Sequence, residues 1–171
     1  MPMTLFMERF PDLGARETRS ARIAGRDDVP DGEYGFLEFY CDEPGCDCRR
    51  VTISVLRRDT GQGRIWATIS YGWENADFYR RWSNASSDPI ELQGPCLDSL
   101  NPQTEYSPAL LDLFRCLLES TEYVERLKRH YRMFRDSLEK ANGGTDLKAK
   151  QRIEQDRKRL RELRRRRRHS R

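Results

Sequence analysis

The 171 residues are enough for one domain with a core and too few for two ordinary domains. With 36% hydrophobic and 35% charged residues, the chain has no run near the roughly 18–20 apolar residues of a membrane helix. Its N-terminal residues lack the basic-then-apolar order of a secretory signal. These features exclude a membrane-spanning protein and predict a cytoplasmic one.

Charge is distributed unevenly along the chain. Residues 146–171 contain thirteen Lys or Arg and four Asp or Glu, a net charge of +9, whereas the whole chain carries +4. The remaining residues, 1–145, therefore carry −5. We predict three parts: a loosely ordered lead-in (1–33), an α+β domain (34–145) and a basic tail that is helical or disordered (146–171).

Three consecutive segments predict strands. The first 33 residues offer one weak extended candidate, Thr18 to Ile23. From Tyr34, the segments YGFLEFYC, RRVTISVLRR and RIWATISYGW alternate apolar and polar residues, as half-buried strands do. Asp59 to Gly63 has the composition of a short hairpin loop between the second and third strands. The connection between the first two strands contains three cysteines.

Helical patterns follow the strands. WENADFYRRW predicts a short helix, and SPALLDLFRCLLES predicts another with Ser107 as N-cap and proline at the first helical position. A further helical run, or a continuation past a bend near Ser120, stops at Asn142-Gly143-Gly144. The expected fold is α+β, with an antiparallel three- to four-stranded meander whose first hairpin is tied by zinc. It packs against C-terminal helices and is followed by a basic helical tail.

The segment CDEPGCDC places Cys41, Cys46 and Cys48 within eight positions. A reducing compartment disfavours disulfides, so clustered thiols indicate metal ligands before cross-links. Pro44-Gly45 suits the central positions of a type II turn, which would bring Cys41 and Cys46 back together. The spacing favours zinc, which binds thiolates tetrahedrally. Incidental thiols, a redox pair and an iron–sulfur centre are less favoured alternatives.

A fourth zinc ligand is not marked by the local sequence. His130 and Cys96 are the candidates, with His130 slightly favoured, and a water ligand is also open. Asp47 is a weaker candidate. Cys116 lies in an apolar helical run and is predicted to be a small buried hydrophobic residue instead.

Four segments in order, PDGEYGFLEFYCDEPGCDCRRV, YGWEN-DFYRRW, LDSLNPQ and YVERLKRHYRMFR, resemble uncharacterised bacterial proteins labelled by association with SecC-type zinc-binding motifs. The resemblance covers about residues 30–135. It implies zinc at the three clustered cysteines and makes His130 a sensible partner. The SecC motif itself, a short C-terminal run with Cys-x-Cys, is absent, and the chain ends in arginines.

The charge and composition of the basic tail indicate the class of partner. Dense positive charge binds phosphate backbones through counterion release, and the tail has no aromatic residues for base stacking, so sequence-independent nucleic-acid binding is expected. An acidic protein is the alternative partner. The candidate contact residues are Lys158, Arg159, Arg161, Arg164, Arg165, Arg166, Arg167 and Arg168.

The sequence favours a binding or scaffold protein over an enzyme. We find no phosphate loop, nucleophile elbow, HExxH helix or Ser-His-Asp arrangement. A zinc-dependent hydrolase is the less favoured alternative, and it would need a metal with only three protein ligands. Trp73, Tyr79 and Trp82 offer either a binding surface or, more commonly for aromatic residues on a short helix, part of the core.

Overall fold

The three predicted strands form the centre of an antiparallel sheet in a computed structural model, which describes residues 2–58, 63–84 and 87–141. Alternation of apolar residues along each strand explains this, since one face of the sheet is buried. The six strands of the sheet are β1 (Met3–Leu5), β2 (Arg19–Ile23), β3 (Gly32–Cys41), β4 (Arg50–Arg57), β5 (Ile65–Gly72) and β6 (Cys96–Leu97).

Strands β3, β4, β5 and β6 follow one another across the sheet, as the predicted meander requires. On the other side of β3, β1 pairs with its C-terminal end and β2 with its N-terminal half. Residues 1–33 thus contribute two strands and two helices where the sequence suggests a loose lead-in. Their elements are short, and it is pairing with β3 that holds both strands in place, so local patterning carries little signal.

Helices flank the strands: α1 (Phe6–Arg9), α2 (Pro11–Glu17), α3 (Ala76–Trp82), α4 (Pro89–Gln93), α5 (Ser107–Leu118) and α6 (residues 121–141). Helices α5 and α6 are separate, with the break where the bend is expected. The predicted N-cap is one residue off, because Tyr106 occupies that position. Ser107 Oγ instead accepts from the Thr104 amide and donates to the carbonyl of Trp66, at 2.8 and 3.0 Å.

The core lies between one face of the sheet and the helices α5 and α6. Tyr34, Phe36, Glu38 and Tyr40 alternate along β3 and are all buried. The Phe36 ring lies 6.1 Å from that of Phe114 in α5, so aromatic packing fixes the helix layer on this face. Residues one step out of phase on β3, including Cys41 at its end, belong to the opposite face.

The chain forms two compact units, Met1–Phe134 and Arg135–Arg171. The described part of the second, residues 135–141, is helical. Most of the predicted hairpin loop at Asp59 to Gly63, the helix stop at Asn142-Gly143-Gly144, the boundary at residue 145 and the basic tail lie outside the described residues. Among the helices within the described ranges, none has the length and apolar character to cross a membrane.

Candidate metal centre

A tight turn folds the connection between β3 and β4 back on itself. The Cys46 amide donates to the Glu43 carbonyl at 3.2 Å, and Pro44 and Gly45 occupy the two central positions. Gly45 has φ of 73°, the positive value that the third position of a type II turn requires. The turn predicted from the Pro-Gly pair is therefore present.

This turn brings three thiols together. The sulfur atoms of Cys41, Cys46 and Cys48, here named the thiol group, all lie within 4.8 Å of one another. Cys41 and Cys48 are only 1% and 2% exposed, and Cys46 is partly exposed. Within the described ranges, no histidine, aspartate, glutamate or further cysteine joins this set. Three soft donors thus converge on one point, which is a donor set that a metal ion can use.

The segment that follows the last of these cysteines is anchored from two helices. Tyr79 of α3 donates its hydroxyl to the carbonyl of Arg49 at 2.9 Å, and the Arg49 amide donates to Tyr131 of α6 at 3.3 Å. The Arg49 guanidinium pairs with Asp47 at 3.0 Å and Glu74 at 3.1 Å. Arg49 has a positive φ of 48°, uncommon for a side-chain-bearing residue, so these contacts hold a backbone conformation that would otherwise be disfavoured.

Helix α3 reaches this segment because β5 ends in glycine. A Cβ atom at Gly72 would clash with the Tyr79 hydroxyl and approach the Leu92 carbonyl at 3.0 Å. Tyr79 is fully buried, which shows that this member of the Trp73, Tyr79 and Trp82 set belongs to the core. The glycine therefore permits the close approach that positions the end of the cysteine segment.

Strand β1 holds the other end of the segment. Thr4 Oγ1 donates to Asp42 Oδ2 at 2.8 Å, and the Asp42 amide donates to the Pro2 carbonyl at 3.3 Å. Met3 lies directly opposite Cys41 in the sheet register. Sequence reasoning missed this support, since nothing in residues 2–5 marks them as partners of a segment almost forty positions away.

Hydrogen bonding and burial shift the thiol pKa values in opposite directions. A hydrogen bond from the Cys48 thiol lowers the pKa of Cys41 to about 6. The same hydrogen bond, together with burial, raises the pKa of Cys48 well above its usual range. Burial and the nearby Cys41 charge raise the pKa of Cys46. Without metal, one thiolate near neutral pH is thus stabilised by its two neighbours.

His130 is not brought to the thiol group. Its ring is 1% exposed, with Nδ1 2.7 Å from Glu38 Oε2 and Nε2 3.0 Å from Glu17 Oε2. Tyr40 donates its hydroxyl to the same Glu38 oxygen at 2.8 Å. Glu17, Glu38, Tyr40 and His130 are here named the imidazole cluster. Both ring nitrogens face carboxylates, so the expectation that His130 supplies the fourth metal ligand must be corrected.

The other candidate ligands also lie apart from the thiol group. The Cys96 thiol donates to the Glu91 carbonyl at 3.3 Å, and the Asp47 carboxylate pairs with Arg49. Cys116 is exposed, so the prediction that it is a buried hydrophobic residue is wrong. It lies two positions after the buried Phe114, about 200° around the helix, which turns it away from the core.

Comparison with known proteins gives no relative: no family model, no curated protein and no solved structure matches the chain. The geometry of the thiol group is therefore the basis for assigning a function.

Proposed function

We propose that the protein is a non-enzymatic, zinc-containing binding or scaffold protein, with zinc held by Cys41, Cys46 and Cys48. The observation that carries this proposal is the convergence of three sulfur atoms within 4.8 Å. Thiolates are soft ligands that select zinc among the common divalent metals of structural sites. The resemblance to bacterial proteins labelled with SecC-type zinc-binding motifs leads to the same metal.

The role proposed for zinc is to hold the β3–β4 connection. Residues 42–49 contain no helix or strand, so regular backbone hydrogen bonding does not fix their path. Metal–thiolate bonds would join Cys41 at the end of β3 to Cys48, two residues before β4 begins. Because such bonds form only in the folded chain, the free energy of metal binding adds to the free energy of unfolding.

Metal analysis of the full chain tests the zinc site. We expect about one zinc per chain, and none in a variant carrying Cys46→Ser and Cys48→Ser. Loss of a tightly bound metal should lower the melting temperature of this variant by about 10 °C. The matched control is Cys116→Ser, because that thiol is exposed and lies outside the thiol group. A double variant that is metal-free yet as stable as the control would overturn the structural role.

We propose nucleic acid as the partner of the basic tail. Residues 146–171 carry a net charge of +9, with five consecutive arginines at 164–168. Such density releases condensed counterions from a phosphate backbone, which gives affinity without base recognition. The proposed contacts are made by Lys158, Arg159, Arg161, Arg164, Arg165, Arg166, Arg167 and Arg168.

Binding to random duplex and single-stranded oligonucleotides, with and without residues 146–171, tests the partner. The full chain should bind both, with an affinity that falls steeply as salt rises, by a logarithmic slope of about −0.7 to −0.9 per phosphate neutralised. A variant with all five arginines at 164–168 changed to glutamine should lose much of this slope. Equal binding with and without the tail would remove the nucleic-acid proposal. Tail-dependent binding to an acidic polypeptide alone would favour the protein partner instead.

A further inference from the structure

A pocket of about 320 Å³ lies directly beside the thiol group. Cys41 and Cys48 form part of its wall, together with Arg50 and Thr52 from β4 and Ser70 from β5. Thr52 and Ser70 are direct neighbours in the sheet register, and Arg50 is two positions from Thr52. These three side chains therefore share one face of the sheet, the face opposite the helix layer.

Arg50 has unused hydrogen-bonding capacity at this pocket. Its Nη2 donates to Ser70 Oγ at 2.5 Å, which fixes the guanidinium against β5. Its Nε is buried and has no hydrogen-bond partner within the part of the chain that the structure describes. This atom has almost no accessible surface, so the donors that a ligand in the pocket can use are the terminal N–H groups, of which one already donates to Ser70. The guanidinium fork matches a carboxylate group.

A carboxylate of the protein itself also borders the pocket but is used elsewhere. Asp98 accepts from the Leu100 amide at 3.0 Å and from Asn101 Nδ2 at 2.8 Å, so both oxygens serve to shape their own loop. In that loop Leu100 is 93% exposed and lines the pocket. A bound molecule that covered part of this side chain would remove apolar surface from water, which is favourable.

Arg50 and the proposed metal are the two cationic partners that this pocket could offer an anionic group. Three thiolates and a divalent metal sum to one negative charge, Asp98 adds a second, and the guanidinium of Arg50 offsets one of the two. Without Arg50, a second anion near the thiolates would meet net repulsion. With it, an anion has a cationic partner and access to the coordination position that three protein thiolates leave to another donor. The pocket volume is at the lower end of the range for small-molecule sites.

We propose that a small carboxylate-bearing molecule binds in this pocket, held by Arg50 and supplying the fourth ligand of the metal at the thiol group. This inference rests on the proposed metal site. Arg50 sets the requirement for a negative charge, and Leu100 offers apolar contact to the remainder of the molecule. The site is thus a binding site for a small acid, built on the centre that also holds the β3–β4 connection.

Cobalt substitution of the full chain, with acetate as the probe, tests this proposal. Thiolate-to-cobalt absorption reports metal binding, and the visible bands of cobalt report a change of its fourth ligand. Acetate should change the visible bands saturably in the natural chain. Arg50→Gln should weaken acetate binding at least tenfold, while Arg50→Lys should weaken it less. The matched control, Arg58→Gln, removes an arginine that pairs with Glu33 and lines another pocket, and should bind acetate normally.

The outcomes separate the metal site from the ligand site. If thiolate-to-cobalt absorption is present and acetate leaves the visible bands unchanged, the ligand proposal is overturned and the metal site stands. The same conclusion follows if Arg50→Gln and Arg58→Gln bind acetate with equal affinity. If that absorption is absent, the metal proposal fails, and with it the fourth-ligand role. An acetate-dependent shift of the Arg50 Nε–H resonance in the NMR spectrum of the metal-free chain would then support anion binding alone. An unchanged resonance would overturn anion binding at Arg50 as well.

Discussion

Strand β3 contributes to two buried polar clusters whose charges are compensated in different ways. Glu38 faces the helix layer and belongs to the imidazole cluster, whereas Cys41, three residues later, faces the other way and belongs to the thiol group. The imidazole cluster joins two carboxylates to a basic side chain, and Arg129 also pairs with Glu17, so acidic and basic groups meet there. The thiol group contains only groups that ionise to anions. Burial of like groups therefore calls for an external cation, and burial of unlike groups does not.

The largest change in the free energy of unfolding is expected when the histidine of the imidazole cluster is replaced. This substitution leaves the thiol group unchanged. His130→Leu leaves Glu38 buried without its basic partner and with the Tyr40 hydroxyl as its donor, while Glu38 Oε1 has no hydrogen bond within the described residues. Breaking a buried pair in this way costs about 3–5 kcal/mol of the free energy of unfolding, measurable by urea denaturation. Adding Glu38→Met should recover much of this loss, because both members are then apolar.

Metal content is the second readout of the same variants. His130→Leu should still bind about one metal per folded chain, because the histidine ring nitrogens face Glu17 and Glu38. A folded His130→Leu protein that has lost its metal would restore His130 as a ligand and would contradict the separation of the two clusters.

The second prediction concerns protons released from the thiol group. The pKa of Cys41 is lowered to about 6, and those of Cys46 and Cys48 are raised. Near pH 7.5 only Cys41 is ionised before metal binds, so zinc should displace about two protons. The affinity should then fall about 100-fold for each unit by which pH decreases, or about 2.7 kcal/mol. Calorimetry in buffers of different ionisation enthalpy measures this number, and release of three protons would show that Cys41 is protonated.

The two clusters also differ in how far the sequence predicts them. The three cysteines lie within eight positions, and the Pro44-Gly45 turn between them follows from local dihedral preferences, so the thiol group is predictable. The imidazole cluster gathers residues from α2, β3 and α6 that are up to 113 positions apart. The pattern marks His130 as inward-facing and does not mark the carboxylates that meet it.

The same distinction holds for the fold. Strands β3, β4 and β5 are predictable because each alternates over at least eight residues. Strands β1 and β6 have three and two residues, and they exist because a neighbouring strand offers an edge. The role of Arg49 was equally hidden, since its positive φ depends on Tyr79 and Tyr131, which lie in α3 and α6.

The third prediction asks how much the helices prepare the thiol group for metal. Tyr79→Phe keeps the buried ring and removes the hydroxyl that donates to the Arg49 carbonyl at 2.9 Å. Loss of this bond should lower the free energy of unfolding by about 1 kcal/mol. Zinc binding should lose a similar free energy, which is about a fivefold weaker affinity, since the segment after Cys48 is less well held. Tyr106→Phe, which removes a hydroxyl far from this segment in the sequence, is the control. Equal zinc affinities in the two variants would show that the anchor does not prepare the site.

The smallest expected effect concerns the decrease in the free energy of unfolding at acidic pH, here called the acid limb. Burial raises the pKa of Glu17, but the hydrogen bond with His130 and the charges of Arg129 and Arg126 outweigh it, and the net shift is downward from 4.5. A carboxyl whose pKa is lowered in the folded state stabilises the fold at pH values above its unfolded-state pKa. This contribution is lost as pH falls below about 4.5. Glu17→Gln should therefore lose less stability than the natural chain between pH 5 and pH 3.

The size of that difference should be modest, because the Glu17 side chain is 28% exposed and water screens its charges. Glu8→Gln is the matched control, since Glu8 lies in the neighbouring helix α1 outside the imidazole cluster. Thermal unfolding across this pH range compares the two variants. If Glu17→Gln followed the same acid limb as Glu8→Gln, the carboxylate would not stabilise the buried histidine. Glu38 would then be the acidic partner that balances His130, and the imidazole cluster would be closed by β3 and α6 without α2.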